Sequence, residues 1–401
     1  MFAKTVSLYK NAYSGLSPST WWLSLIMLVN RSGTMVLPFM SIYLTSPAMG
    51  YSIAQAGIVM GLFGLGAIAG GFIGGRITDS TGFYPVQVGT LIGGGVLFIV
   101  LGQMKSYPLI CVFSFLLSMV NEAFRPANAT AVAAYSDNNN RTRSYALNRL
   151  AINLGWAVGG AAGGYIASFN YELLFWVDGL TNILAALLLL YFLPPSANNI
   201  KPVTDEQIVD RSRSAYSDTI YLLFIVLTAL FATCFFQMFS TLTVYFKNDL
   251  HFSESYIGFL MAVNGLVIAF IEMILVFKLE GKRRSTFYIS CGVLLCGLAY
   301  LMPNTFFITR FPAVVMILLI TFGEIFSLPF MNSFWIGRSA SHNRGQYAGL
   351  YTIAWATAQT CGPLFGSLIA DEWGFPLLWW IVGSLCILTA FGFYLLHRRL
   401  T

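Results

Sequence analysis

The chain has 401 residues, of which 57% are hydrophobic and only 9% are charged, whereas a typical soluble domain carries about 25% charged residues. So few charges cannot cover a water-facing body of this length, which excludes a soluble enzyme or regulator. The net charge of +6 would suit a nucleic-acid partner in a soluble protein. In a membrane protein the same excess marks cytoplasmic loops, so we expect a lipid bilayer and no nucleic acid as partner.

Apolar stretches of transmembrane length recur along the whole chain. A hydrocarbon core of about 30 Å needs roughly 20 apolar residues per helix, whereas a barrel strand needs about 10. The pattern therefore predicts an all-α membrane protein with twelve transmembrane helices. The predicted spans, one to twelve, are 21–44, 53–75, 84–103, 109–134, 144–167, 173–193, 219–245, 256–277, 286–302, 312–334, 347–369 and 376–396.

The distribution of Lys and Arg over the loops predicts the orientation. With both termini in the cytoplasm, 16 of the 22 basic residues fall on the inside, three fall outside and three lie within spans. Such a bias is what the positive-inside rule requires. We therefore expect a multi-pass protein of the plasma (inner) membrane with both termini cytoplasmic.

An internal repeat divides the chain into two halves. Shifting the sequence by 203 residues places Pro126 on Pro329 and Asn140-Arg141 on Asn343-Arg344. Parallel six-helix repeats are a known transporter construction. The predicted organisation is a six-helix half over 1–193, a cytoplasmic linker over 194–218 and a second six-helix half over 219–401.

The segment between spans two and three carries a family resemblance. Gly75, Asp79 and Gly82 fit the loop signature Gly-x-x-x-Asp-Arg/Lys-x-Gly-Arg/Lys-Arg/Lys, so the chain resembles the major facilitator superfamily. Within that superfamily, the segments 148–155 and 175–179 are most similar to bacterial twelve-span drug/proton antiporters. The basic positions of the signature are missing here. The resemblance implies that Asp79 faces the N-terminus of span eleven and latches the two halves; the alternative is a simple helix cap.

Span five contains a glycine pattern that is similar to the superfamily's antiporter signature Gly-x-x-x-Gly-Pro-x-x-Gly-Gly, with a glycine in place of the proline. Small residues at this spacing also let helices approach closely. The glycine pattern therefore has two possible roles, one specific to exporters and one in simple tight helix packing. The pattern consists of Gly155, Gly159, Gly160, Gly163 and Gly164.

Charges at lipid depth are costly unless they are paired or hydrated, and they are therefore candidate functional groups. In the superfamily fold, spans one, four, seven and ten line the central cavity, which would place Arg31, Glu122, Arg125, Gln237 and Glu324 there. A carboxylate that exchanges a proton for a cationic partner can couple proton movement to alternating access. The charged residues within spans are Arg31, Glu122, Arg125, Arg149, Asp178, Glu272 and Glu324.

The four acids are proton-coupling candidates, each with a structural alternative. Glu122 shares a helix face with Arg125, and the pair could be permanent. Glu324 has no basic residue within a turn of its own helix, which favours it as the proton carrier. Glu272 and Arg149 could form a gate or line a hydrated mouth, and Asp178 could act as a cap or pair with Arg31.

Aromatic residues on the cavity helices favour an amphipathic or aromatic substrate over a sugar. Arg31 and Arg125 could equally hold a carboxylate. The predicted substrate-binding residues are Arg31, Arg125, Tyr43, Phe124, Gln237, Phe239, Phe326, Tyr351 and Trp355.

These features together predict a proton-coupled secondary transporter of a small molecule, an efflux antiporter in the first interpretation. The alternatives are a proton-coupled importer of short peptides or organic acids and, in another class, a non-transporting scaffold or enzyme. We expect no enzymatic activity, no cofactor, no metal site and a monomer.

Overall fold

The computed structural model describes residues 15–136, 141–195, 214–279, 282–305, 308–339 and 344–400. Within these ranges the regular secondary structure is helical, as the long apolar windows require. The helices are α1 Pro18–Ser32, α2 Val36–Thr45, α3 Ile53–Thr81, α4 Phe83–Gly102, α5 Tyr107–Tyr135, α6 Arg141–Ala167, α7 Glu172–Phe192, α8 Thr219–Phe235, α9 Thr241–Asn248, α10 Glu254–Leu279, α11 Ser285–Thr305, α12 Arg310–Arg338, α13 Arg344–Trp373 and α14 Phe375–Leu400, with short 3-10 helices at Ala215–Ser217 and Phe236–Phe239.

The helices reproduce the twelve predicted spans. Eleven spans are long and apolar enough to cross a membrane among the residues described. The twelfth is α13, with 30 residues. The polar residues Thr357, Gln359 and Thr360 lower the mean hydropathy of its middle part. Large apolar side chains face outward along many helices, including Phe72 and Leu388. Lipid covers such faces in a membrane protein.

Two compact units share the chain, and their boundaries cut through spans one and two. One unit comprises Met1–Val36 and Gly66–Lys201. In it, α1 packs on α6 and α7, and α4 packs on α5 and α7. The six-helix halves and the linker of the sequence analysis remain a prediction, and 196–213 of that linker lie outside the described residues.

The other unit comprises Leu37–Leu65 and Pro202–Thr401. Within it, α11 packs on α12 and α14, and α8 packs on α13 and α14. The first part of α3 belongs to this unit, because three of its glycines approach α13.

Spans one and seven are interrupted helices, which the hydropathy windows did not predict. Span one ends as α1 at Ser32 and resumes as α2 at Val36. Span seven passes through the 3-10 helix Phe236–Phe239 before α9 begins. An interruption leaves backbone N–H and C=O groups without helical partners, so side chains must satisfy them.

The predicted loop between spans two and three is almost entirely helical. Helix α3 continues past Gly75 to Thr81, and α4 begins at Phe83. The only residue between them is Gly82, whose φ of 87° strongly favours glycine. Asp79 therefore lies in the last turn of a helix rather than in a loop.

Candidate functional site

Span four carries an ion pair that its residue spacing predicts. The Nε of Arg125 lies 2.7 Å from Oε2 of Glu122, three residues away on the same helix face. The side chain of Glu122 is 14% exposed and that of Arg125 is 68% exposed. Arg31 of span one interacts electrostatically with both residues, and its buried Nε has no hydrogen-bond partner among the described residues. Two guanidinium groups thus accompany one carboxylate.

The glycine pattern of span five brings that helix against span one at Arg31. A Cβ added at Gly155 would lie 2.6 Å from the Cβ of Arg31, and one at Gly159 would lie 3.0 Å from the carbonyl oxygen of Ser32. A side chain at Gly155 would require a shift of its neighbours, and one at Gly159 would be packed more tightly than most side chains, which supports the packing interpretation of these two positions. Gly160, Gly163 and Gly164 are also buried.

Asp178 of span six satisfies the interrupted backbone of span one. Its carboxylate accepts hydrogen bonds from the N–H of Met35 (3.0 Å) and of Val36 (2.8 Å), and the residue is fully buried. An anion at a helix N-terminus is favourable, because the first N–H groups of the helix point at it. The geometry supports the cap that the sequence analysis weighed against a proton-coupling role.

The same junction is closed by two further contacts between spans one and six. A Cβ at Gly33 would overlap the hydroxyl of Thr181, at 1.7 Å. Asn30 donates from Nδ2 to Oδ1 of Asn182 at 2.9 Å, and Asn182 donates to the carbonyl of Asp178. The interruption in span one is therefore held by a buried polar cluster.

Gln237 occupies the interruption of span seven. Its Nε2 donates to the carbonyl of Gly362 at 2.7 Å, and its Oε1 accepts from the hydroxyl of Thr241 at 2.6 Å. Gln237 is 2% exposed, and a Cβ at Gly366 would lie 2.1 Å from its Oε1. We therefore assign Gln237 to helix–helix contact rather than to the cavity surface that its span number suggested.

Glu324 of span ten is held by an amide from span eight. Nδ2 of Asn264 donates to Oγ1 of Thr321 at 2.9 Å and to Oε2 of Glu324 at 3.4 Å. The hydroxyl of Thr321 donates its only proton to the carbonyl of Ile317. The NH₂ group of Asn264, rather than its carbonyl oxygen, must therefore face Thr321 and Glu324. Asn264 was not recognised from sequence, because nothing in the spacing links it to a residue 60 positions later.

Aromatic rings from spans seven and eleven form one cluster. Trp355 lies edge-to-face with Phe235, with 5.9 Å between ring centroids, and Tyr351 lies 6.3 Å from Trp355. Phe239 joins through Phe235 at 5.8 Å. Tyr351, Trp355 and Phe239 are partly exposed, so the protein does not cover them completely.

The other predicted site residues do not belong to the contacts described above. Tyr43 and Phe124 are buried, and Phe124 belongs to the apolar core of its unit. Phe326 is partly buried. Glu272 is buried, whereas Arg149 and the latch candidate Asp79 are exposed.

A charged cluster just before span seven was missed by the sequence analysis. Both carboxylate oxygens of Asp218 accept from Arg338, at 2.6 and 2.8 Å, and Tyr347 and the N–H of Tyr221 also donate to it. Burial would raise the pKa of Asp218, but these hydrogen bonds and the charge of Arg338 outweigh burial and hold the pKa below its ordinary value. Asp218 directly precedes an apolar run, which is the position of a helix cap. This position was the signal in the sequence that could have pointed to Asp218.

Interrupted spans, buried polar clusters and charged groups within apolar helices are features that multi-span membrane transporters share. A sequence profile of the Major Facilitator Superfamily matches residues 22–358, and the chain belongs to that family. The family and the chain's relatives are transporters rather than enzymes.

Two curated relatives illustrate the likeness. The chain is 23% identical over 396 residues to a Na⁺, Li⁺, K⁺/H⁺ antiporter of Planococcus maritimus, covering 90% of this chain and 92% of that protein. It is 23% identical over 363 residues to the uncharacterized MFS-type transporter YttB of Bacillus subtilis (strain 168), covering 88% of each.

Solved structures share the fold. A POT family transporter in complex with 5-aminolevulinic acid superposes with a TM-score of 0.80 at 14% identity, covering 97% of this chain and 98% of the other. A bacterial homologue of the human lysosomal transporter Spinster, in an inward-facing conformation, gives a TM-score of 0.73 at 14% identity with 95% of each chain covered. At these identities the likeness concerns the fold alone.

Proposed function

We propose that this transporter exchanges protons for a small amphipathic or aromatic molecule and acts as an efflux antiporter of the plasma (inner) membrane. The observation that carries the proposal is the setting of Glu324, a partly buried carboxylate that accepts a hydrogen bond from the neutral amide of Asn264. An amide N–H can donate to a carboxylate and equally to the carbonyl oxygen of a protonated acid. Glu324 can therefore change protonation state while keeping this contact.

Glu122 is in a different position. A proton on Glu122 would remove the charge that compensates Arg125, 2.7 Å away, and an arginine cannot release its own proton in response. We assign Glu122 to fixing span four and Glu324 to carrying the proton. The named activity of the Planococcus relative, in which cations move against H⁺, agrees with antiport.

The partly exposed ring cluster of Tyr351, Trp355 and Phe239 supports an aromatic substrate, because flat rings bind flat apolar or cationic groups with little need for hydrogen bonds. The loop charges support cytoplasmic termini, and an exporter would take up its substrate from that same side.

A second candidate function follows from the charge balance of spans one and four. Arg31 and Arg125 share one carboxylate, and the Nε of Arg31 is buried without a hydrogen bond among the residues described. This excess of positive charge would suit a substrate carboxylate, as an importer of short peptides or organic acids requires.

The two functions can be distinguished in proteoliposomes that contain the protein in one known orientation. A pH gradient is imposed across the membrane, and an enclosed pH dye reports its collapse. We expect ethidium to collapse the gradient in inside-out vesicles, with Na⁺ tested in parallel as cargo. Glu324→Gln should reduce this to the level of protein-free vesicles, whereas the exposed neighbour of span eleven, Glu372→Gln, should leave it unchanged. Proton movement driven only by dialanine in right-side-out vesicles would support the importer and contradict antiport.

A further inference from the structure

The predicted outer ends of spans two and eleven meet within one compact unit. Oδ1 of Asp371, near the end of α13, accepts a hydrogen bond of 3.1 Å from the N–H of Ile53, the first residue of α3. The N–H groups of Ser52 and Gln55 are satisfied locally, because these two residues form a reciprocal capping box. Asp371 thus caps this terminus from another span.

Glycines bring the two helices into close contact below this hydrogen bond. A Cβ at Gly57 would lie 2.3 Å from the Cβ of Ser367, and a Cβ at Gly64 would lie 2.7 Å from the Cα of Thr360. Such an approach is possible only without side chains on that face of span two. The contact therefore extends over at least two turns and ends at Asp371.

The position of Asp371 is unfavourable for its own helix. A carboxylate in the last turn faces the negative end of the helix dipole, and the last turn of α13 carries no basic residue. The same carboxylate is favourable at the N-terminus of span two. Its energetic benefit thus depends on the two spans remaining together.

A shared motif relates this end of span eleven to the opposite end of span two. Both helices end on Asp-x-x-Gly-Phe, at Asp79 to Phe83 and at Asp371 to Phe375. In both, the glycine follows the last helical residue with a positive φ, 87° at Gly82 and 84° at Gly374. The repeat shift of 203 residues does not relate the two copies, but inverted repeats nested within each half can place spans two and eleven in corresponding roles.

We propose that Asp371 is an outer latch, a carboxylate that holds the outer ends of spans two and eleven together and releases them when that side opens. This inference goes beyond the proposed exchange of protons, since it concerns a conformational equilibrium that exists without substrate. The outer position of these ends follows from the predicted orientation of the spans, whereas the latch follows from the contact between the two helices.

Pulsed EPR between spin-labelled unnatural amino acids at positions 48 and 377 reports the separation of these ends in detergent without substrate, with the native cysteines retained. We expect Asp371→Ala to raise the ratio of the long to the short distance population about fivefold, the size of a lost helix cap. Asp371→Asn keeps an acceptor oxygen and should have a smaller effect. Gly64→Ala weakens the same contact independently and should act in the same direction.

Two variants provide matched controls. Glu372→Ala removes the adjacent exposed acid, and Asp79→Ala removes the same residue of the same motif at the other end of span two; neither should raise the long-distance population. An unchanged ratio in Asp371→Ala, or an equal rise in Asp79→Ala, would overturn the latch. Because the measurement involves no gradient and no cargo, it tests the latch even if the proposed antiport is wrong.

Discussion

The first span of each predicted half is interrupted at equivalent positions, but different chemistry holds the two interruptions. The break at Gly33 and the break that begins at Phe236 are 203 residues apart, which is the repeat length. The first is held by a carboxylate, Asp178, and the second by an amide, Gln237. Both predicted halves thus have an interruption at the same position of the repeat, but different residues stabilise it.

The acids of spans four and ten differ in a similar way. Glu122 and Glu324 lie 202 residues apart, yet the first faces a guanidinium on its own helix and the second an amide from span eight. The two acids thus have different neighbours at equivalent positions, and the proposed division of roles depends on that difference.

Removing the carboxylate at the first interruption should have the largest effect on stability. Asp178→Ala leaves two buried N–H groups without an acceptor, at a cost of about 3 kcal/mol. We expect a lower midpoint of thermal unfolding in detergent for Asp178→Ala. The midpoint of Asp178→Asn should lie between those of Asp178→Ala and the wild type, because the amide oxygen still accepts a hydrogen bond. An unchanged midpoint in Asp178→Ala would show that water replaces the cap.

The second interruption should be less sensitive. Gln237→Leu leaves the carbonyl of Gly362 and the hydroxyl of Thr241 without this partner, but it exposes no charge and no helix N-terminus, and about 2 kcal/mol is expected. The same unfolding measurement compares the two sites. A larger loss at Gln237 than at Asp178 would reverse the comparison.

The smallest effect is expected at the charged cluster of Asp218, and it should depend on pH. Because the folded-state pKa of Asp218 is lowered, its stabilisation is present above its ordinary pKa of 3.8 and is lost as pH falls through the folded value. Asp218→Asn should cost about 1 kcal/mol at neutral pH. Unfolding midpoints measured against pH should converge with the wild type in acid; a constant difference would contradict the assignment.

The sequence predicted what depends on composition and local spacing. Twelve helices followed from apolar length, and the contact between Glu122 and Arg125 followed from three-residue spacing on a helix. The interruption at Gly33 was missed because a hydropathy window does not register a backbone break. Asn264 and Asp218 were missed because their partners lie 60 and 120 residues away in sequence and meet them only through helix packing.

The division of roles between the two glutamates can be measured directly as proton release on binding. Purified protein in weakly buffered detergent solution should release protons when ethidium binds, because a cation replaces the proton of Glu324. The account predicts that Glu324→Gln binds ethidium without proton release and that Glu122→Gln still releases protons. Release that persists in Glu324→Gln and disappears in Glu122→Gln would contradict it.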